Sequence, residues 1–163
     1  MKTLDQAKCQ SWRKYCIWWL YVASAVHFLV GVALPWLAPL PFLDAYHRSV
    51  EAGFWNDAAP VAARAQQIWW ISLFGATIQS VVIWMAALVR LGDQHRSRFA
   101  WFSLLLGVIV WAPQDMWISF QAGAMAHLWV DAFALVSLLP PLVFLFVVDR
   151  VVVPCSANLA GEL

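Results

Sequence analysis

Charge is scarce in this chain. Only 12% of its 163 residues are Asp, Glu, Lys or Arg, while 63% are hydrophobic. That balance lies far outside the range of a soluble globular domain. The net charge is only +1, which argues against nucleic acid as a partner. Cysteine is nearly absent as well. Cys9, Cys16 and Cys155 are odd in number and lack metal-ligand spacing, so reduced, unpaired thiols are expected and a disulfide framework is not. No repeat and no low-complexity linker divides the sequence. A single transmembrane domain over residues 1–163 is the expectation.

Apolar residues fill the space instead. Four runs, at about residues 16–34, 68–89, 99–120 and 124–148, are free of long polar interruptions. Each can cross ~30 Å of hydrocarbon as a helix rising ~1.5 Å per residue. The expected fold is all-α, an integral membrane four-helix bundle. The first run follows Lys2, Lys8, Arg13 and Lys14 as a signal peptide would. It is too long for such an apolar segment and is followed by prolines, so it reads as a retained helix.

Lysine and arginine set the orientation. Four precede the first run, three lie in Arg90–Arg98, and Arg150 follows the fourth run. The opposite side has Arg48 and Arg64 only. The positive-inside rule therefore places both termini in the cytoplasm, and the bacterial inner (plasma) membrane is the expected location. The basic stretch Arg90–Arg98 reads as this topology signal. Trp12, Trp18, Trp36, Trp69, Trp101 and Trp129 fall near helix ends and are expected to anchor at the lipid headgroups. Trp84, Trp111 and Trp117 lie deeper and are expected to pack or line a cavity.

The longest connection spans about residues 35–65. Pro35, Pro39 and Pro41 are expected to end the first helix. The stretch from Phe42 to Trp55 then reads as a short amphipathic helix in the outer loop, stopping near Gly53. Asp44, His47 and Glu51 share one of its faces. A solvated face of an interfacial helix is expected, with a lid or metal site as the alternative. Gly123 marks a tight turn between the third and fourth helices, and the tail after Pro154 is expected to be loosely ordered.

Polar and small residues recur at helical spacing inside the runs. Ser24, His27 and Gly31 do so in the first, Ser72, Gly75, Ala76 and Gln79 in the second, and His127, Asp131 and Ala134 in the fourth. Such stripes are expected to face inward. Asp115 and Asp131 are the most informative, because a carboxylate in hydrocarbon is costly unless paired, protonated or hydrated. Asp115 lies roughly 8 Å below the outer end of the third helix, and Asp131 roughly 10 Å below that of the fourth. His127 precedes Asp131 by one turn on the same face.

These depths predict a cavity opening outward. Asp115, Asp131 and His127 would form its upper wall and its acid–base set. His27 and Gln79 would lie at the floor, with Gln114, Trp111 and Trp117 as further ligand-binding residues. Neighbouring carboxylates share a proton, which suits general acid–base work on an apolar substrate. The alternative is structural: His127 pairs with Asp131, while Asp115 satisfies backbone freed by Pro113. A metal bridging His127, Asp131, Asp115 and His47 or Glu51 is the weaker reading, so no metal and no cofactor are expected. A bis-histidine haem would need His27 and His127, whose depths differ by about 10 Å.

The layout resembles the emopamil-binding (EXPERA) superfamily, which includes sterol Δ8–Δ7 isomerases and a sterol-binding receptor. The resemblance covers roughly residues 15–150. Val22–His27 is similar to the family's first-helix histidine segment, Arg98–Asp115 to its third helix, and Leu138–Asp149 to its last. It implies four helices and a sterol-like ligand. Its acid partner to the histidine is Gly31 here, its second-helix acid has no counterpart in residues 68–89, and Phe133 and Val136 stand near the places of its last-helix asparagine and tryptophan. The isomerase proton-shuttling set is therefore not carried over.

The first expectation for function is a membrane protein binding an apolar or sterol-like small molecule, an isomerase if it is an enzyme. Alternatives are a non-enzymatic subunit or assembly factor of a membrane complex, and a small proton-coupled carrier. Partners are membrane lipids, the lipophilic molecule, and either a second copy or another membrane protein. The almost wholly apolar inner halves of the third and fourth runs count against transport.

Overall fold

The computed structural model describes residues 2–55 and 59–151. Among them, all regular structure is helical. The elements are α1 (Lys2–Leu37), a 3-10 turn (Pro41–Leu43), α2 (Asp44–Glu51), α3 (Val61–His95), α4 (Arg98–Gln121) and α5 (Met125–Val151). Helices α1, α3, α4 and α5 are each long and apolar enough to cross a membrane. The protein is thus an all-α, multi-pass membrane bundle. Helix α1 packs on α3 and α5, and α4 packs on α5 and α3. The four close into a ring, with α2 laid against α5 at one end.

The helices outrun the apolar stretches that signalled them. Helix α1 starts far upstream of residue 16 and contains Pro35, which does not end it. Proline lacks an N–H and crowds the preceding turn, yet the helix runs on to Leu37. Helix α3 likewise extends to His95, so most of the expected loop 90–98 is helix. The α3–α4 link is only Arg96 and Ser97. Arg96 is left-handed at φ 47°, and the Ser97 side chain caps α4 by accepting from Ala100 N. Gly123 holds the expected turn between α4 and α5, at φ +67°. Asn56, Asp57, Cys155 and the tail after Pro154 lie outside the described residues.

Buried apolar side chains concentrate in the half nearer Arg13. Leu20, Val89, Trp101, Leu105, Leu138, Leu142 and Leu145 form this core. Hydrocarbon tails are as apolar as leucine, so association here rests on close packing and polar bonds. At mid-bundle the helices meet backbone to backbone. A Cβ on Gly75 would lie 2.6 Å from Gly31 O, and one on Gly31 2.8 Å from Gly75 O. The expected cavity floor is therefore closed by α1 against α3. Most expected headgroup tryptophans do face outward, but Trp101 is fully buried, while the deeper Trp84 and Trp117 are exposed. Ala76 also faces outward rather than into the bundle.

Candidate functional site

Two polar clusters stand at opposite ends of the bundle. The first surrounds Arg13, which is 6% exposed, and Asp149, which is fully buried. Nε and Nη2 of Arg13 donate to the two carboxylate oxygens of Asp149 at 2.9 and 3.1 Å. Nη1 donates to Asp93 Oδ1 at 3.0 Å. Trp101 Nε1 donates to Asp149 Oδ2 at 2.9 Å, and Arg96 Nη1 reaches Oδ1 at 3.4 Å. One carboxylate on α5 thus collects donors from α1, α4 and the α3–α4 link. All three guanidinium nitrogens of Arg13 and both carboxylate oxygens of Asp149 are engaged, so the pair is a clamp between the helices.

The second cluster holds Asp115 on α4 with His127 and Asp131 on α5. His127 Nε2 is 3.5 Å from Asp115 Oδ2 and 3.8 Å from Asp131 Oδ1. Sequential antiparallel helices bring the two acids to one level, as the depth argument expects. Trp111, one turn before Asp115, donates Nε1–H to its Oδ2 at 3.1 Å. Asp131 is 2% exposed, and its Oδ2 has no hydrogen-bond partner among the described residues.

Helix α2 supplies the cluster's last member. Tyr46 Oη lies 3.0 Å from His127 Nδ1. Burial first, then Asp131 and Asp115, push the Tyr46 phenol above its ordinary value, so it stays a neutral hydroxyl. The α2 face read as solvated is instead an anchor. His47 is buried and its Nε2 meets Ala38 O at 2.8 Å. Arg64 on α3 pairs with both oxygens of Glu51 and donates to Asp44 Oδ1 at 3.0 Å. The hydrogen bond to Arg64 holds the Glu51 carboxyl below its ordinary value. Past α2, a Cβ on Gly53 would lie 1.8 Å from Ala122 O, so only glycine lets this segment lie on the α4–α5 turn.

The remaining expected site residues do not join the cluster. His27 Nδ1 meets Ala23 O in its own helix at 2.7 Å. Gln79 Nε2 bridges Gly31 O and Gly75 O at 3.1 and 3.3 Å, sealing the α1–α3 contact. Trp117 is exposed and stacks on Phe120. Gln114, rather than Asp115, meets backbone near Pro113, donating to Val110 O at 2.9 Å.

Beside the cluster an open, shallow groove of about 680 Å³ runs along the outer face of α4, with Phe74 of α3 at its edge. Phe74, Leu106, Val110 and Ile118 give it apolar walls, while Trp111, Gln114 and Asp115 give it a polar end. Asp115 belongs to both groove and cluster. The fold and site together define a multi-pass membrane bundle with a histidine–dicarboxylate cluster under an amphipathic helix. No family model, no curated protein and no solved structure matches this chain.

Proposed function

We propose that this protein binds a lipophilic, sterol-like molecule in the groove on α4 and meets its oxygen function with Asp115. The carrying observation is that Asp115 is shared by an apolar-walled groove and the histidine–dicarboxylate cluster. A molecule entering from the bilayer keeps its hydrocarbon body among Phe74, Leu106 and Ile118, and only its polar end needs a protein partner. Proton transfer is the reaction type this favours. A double-bond shift needs one proton delivered and one removed, with no net change of atoms or electrons. Asp115, as the carboxylate, takes a proton from a carbon beside the oxygen function and, as the acid, returns it to the far end of the shifted double bond, while His127 and Asp131 complete the polar wall behind it. The EXPERA resemblance adds the sterol-like class. Both termini are cytoplasmic in this reading, and the membrane is the bacterial inner membrane.

Native mass spectrometry with lipid extraction, on gently purified protein, tests the reading. A retained sterol-like mass, lost in Asp115→Asn, supports it. Ligand-free protein from several detergents and membranes overturns it.

A second reading rests on its own observation. Ser103, Gly107 and Gln114 line the outward side of α4 at helical spacing, as the docking stripe of a complex subunit would. Crosslinking from α4 into a second polypeptide, with no ligand retained, favours it.

A further inference from the structure

The geometry points to a divalent-cation site formed by Asp115, His127 and Asp131, of the first-row class that takes mixed imidazole and carboxylate ligands. It deepens the reading above only in placing the cation at the groove's polar end; the site itself stands on the triad alone. One ligand atom from each of the three residues lies within 4.8 Å of the others. An ion about 2.1 Å from tetrahedral ligands has ligand–ligand edges of roughly 3.4 Å. The histidine–carboxylate separations of 3.5 and 3.8 Å are close to that edge. They are too long for charge-assisted hydrogen bonds, which run near ~2.8 Å. The histidine–carboxylate separations therefore leave room for an ion beside Nε2.

A second observation points the same way. Asp131 is 2% exposed, and its Oδ2 has no hydrogen-bond partner among the described residues. A carboxylate left so in an apolar bundle is costly. A dication balances the charge of two carboxylates with a neutral imidazole, leaving none over. The surroundings are those of a held site too. Metal-bound histidines hand their other ring N–H to an acceptor. Here Tyr46 Oη is 3.0 Å from Nδ1, leaving Nε2 for the ion. Trp111 fixes Asp115. Of the other residues considered as ligands, Glu51 is held by Arg64, and His47, whose Nε2 meets Ala38 O, does not fall within the group. Three protein ligands leave a coordination position open, the pattern of a site that also binds a substrate oxygen. One imidazole with two carboxylates favours Zn²⁺, Mn²⁺ or Fe²⁺ over Ca²⁺, which takes six to eight oxygens.

The test is Zn²⁺ alone, titrated calorimetrically into full-length protein in nanodiscs after chelation, with metal counted by mass spectrometry. One Zn²⁺ per chain is expected, outcompeting Ca²⁺. Asp115→Asn, His127→Gln and Asp131→Asn should each abolish it. Tyr46→Phe should weaken it roughly 10–100-fold. Asp131→Asn removes the unpartnered charge, so it should unfold no earlier than metal-free wild type while losing all Zn²⁺-dependent thermal stabilisation. Should it fail to fold, the less buried Asp115, 25% exposed, decides through Asp115→Asn. Stoichiometric Zn²⁺ that survives these substitutions, or none bound at micromolar concentration, overturns the site. Gly107→Trp separates the two readings. It should keep Zn²⁺ and lose the lipophilic ligand if both hold. A ligand retained without Zn²⁺ sinks the cation site alone, and Zn²⁺ without any ligand sinks the groove reading alone.

Discussion

Arg13 and Asp149 form a bidentate pair, Nε to Oδ1 at 2.9 Å and Nη2 to Oδ2 at 3.1 Å, buried between the first and last helices. The pair closes the ring of four helices, and Trp101 and Arg96 add donors to the same carboxylate. Arg13→Met leaves a fully buried carboxylate with weaker partners. Breaking one side of a buried pair costs about 3–5 kcal/mol, whereas replacing both sides with apolar residues is often neutral. Thermal unfolding in detergent should therefore show a large loss for Arg13→Met and substantial recovery in Arg13→Met with Asp149→Leu. A double variant no better than the single one would rule out this account.

Gly92 controls how closely α3 approaches α4. A Cβ there would lie 2.4 Å from Cζ2 of Trp101. The indole is fully buried and held by Asp149, so it cannot swing aside. Gly92→Ala should destabilise by about 1–3 kcal/mol, the usual cost of overpacking, although alanine is the better helix former. Adding Trp101→Leu should relieve the clash. A Gly92→Ala protein as stable as wild type in the same unfolding assay would show that Trp101 is free to move.

The sequence carried the four spans and the Asp115–His127–Asp131 level, because both follow from one helical rise and one turn of spacing. The clamp was hidden for a related reason. Arg13 stands beside Lys14 and reads as one more topology charge, and only the extension of α1 to Lys2 and α3 to His95 puts Arg13, Gly92 and Asp93 at one depth. Trp101 shows the same limit: near a helix start it looks like a headgroup anchor, but its rotation toward Asp149 depends on α5. Tyr46 could not be found from periodicity either. The face read on α2 was that of Asp44, His47 and Glu51, and Tyr46 reaches His127 only through the docking of α2 on α5. His27 and Gln79 lie away from the cluster because Gly31 and Gly75 bring α1 and α3 together backbone to backbone there.

The anchor of α2 should depend on pH. Glu51 has a carboxyl value lowered by its hydrogen bond to Arg64. A lowered value in the fold means that the unfolded or detached state binds the proton more tightly. The contribution is thus fully present above the ordinary glutamate value of about 4.3. It fades as pH falls below that and through the lowered value. Hydrogen-exchange protection factors over residues 44–51, corrected for the intrinsic slowing of amide exchange in acid, should be high at neutral pH and fall in acid before the bundle itself opens. Arg64→Met should give the low protection already at neutral pH, and Glu51→Gln should flatten the pH dependence. A loss of protection in acid that persists in Glu51→Gln would assign the effect to another group.

Gly107 offers the cleanest test of the groove. A Cβ at this position meets nothing within 4 Å, and the residue lines the open groove on α4. Gly107→Trp therefore fills the groove from its wall without displacing packed atoms, and removing a mid-helix glycine costs nothing in helix propensity. Thermal stability should be unchanged or slightly raised. Retention of a lipophilic ligand, followed by native mass spectrometry or by displacement of a photoreactive sterol, should fall at least tenfold. Gly107→Ala, which adds one methyl group to the same wall, should bind nearly as wild type. This pair separates volume from fold, since both variants share the loss of glycine and differ only in how much of the groove they occupy. Equal retention in the two would place the ligand elsewhere and leave Asp115 without a lipophilic partner.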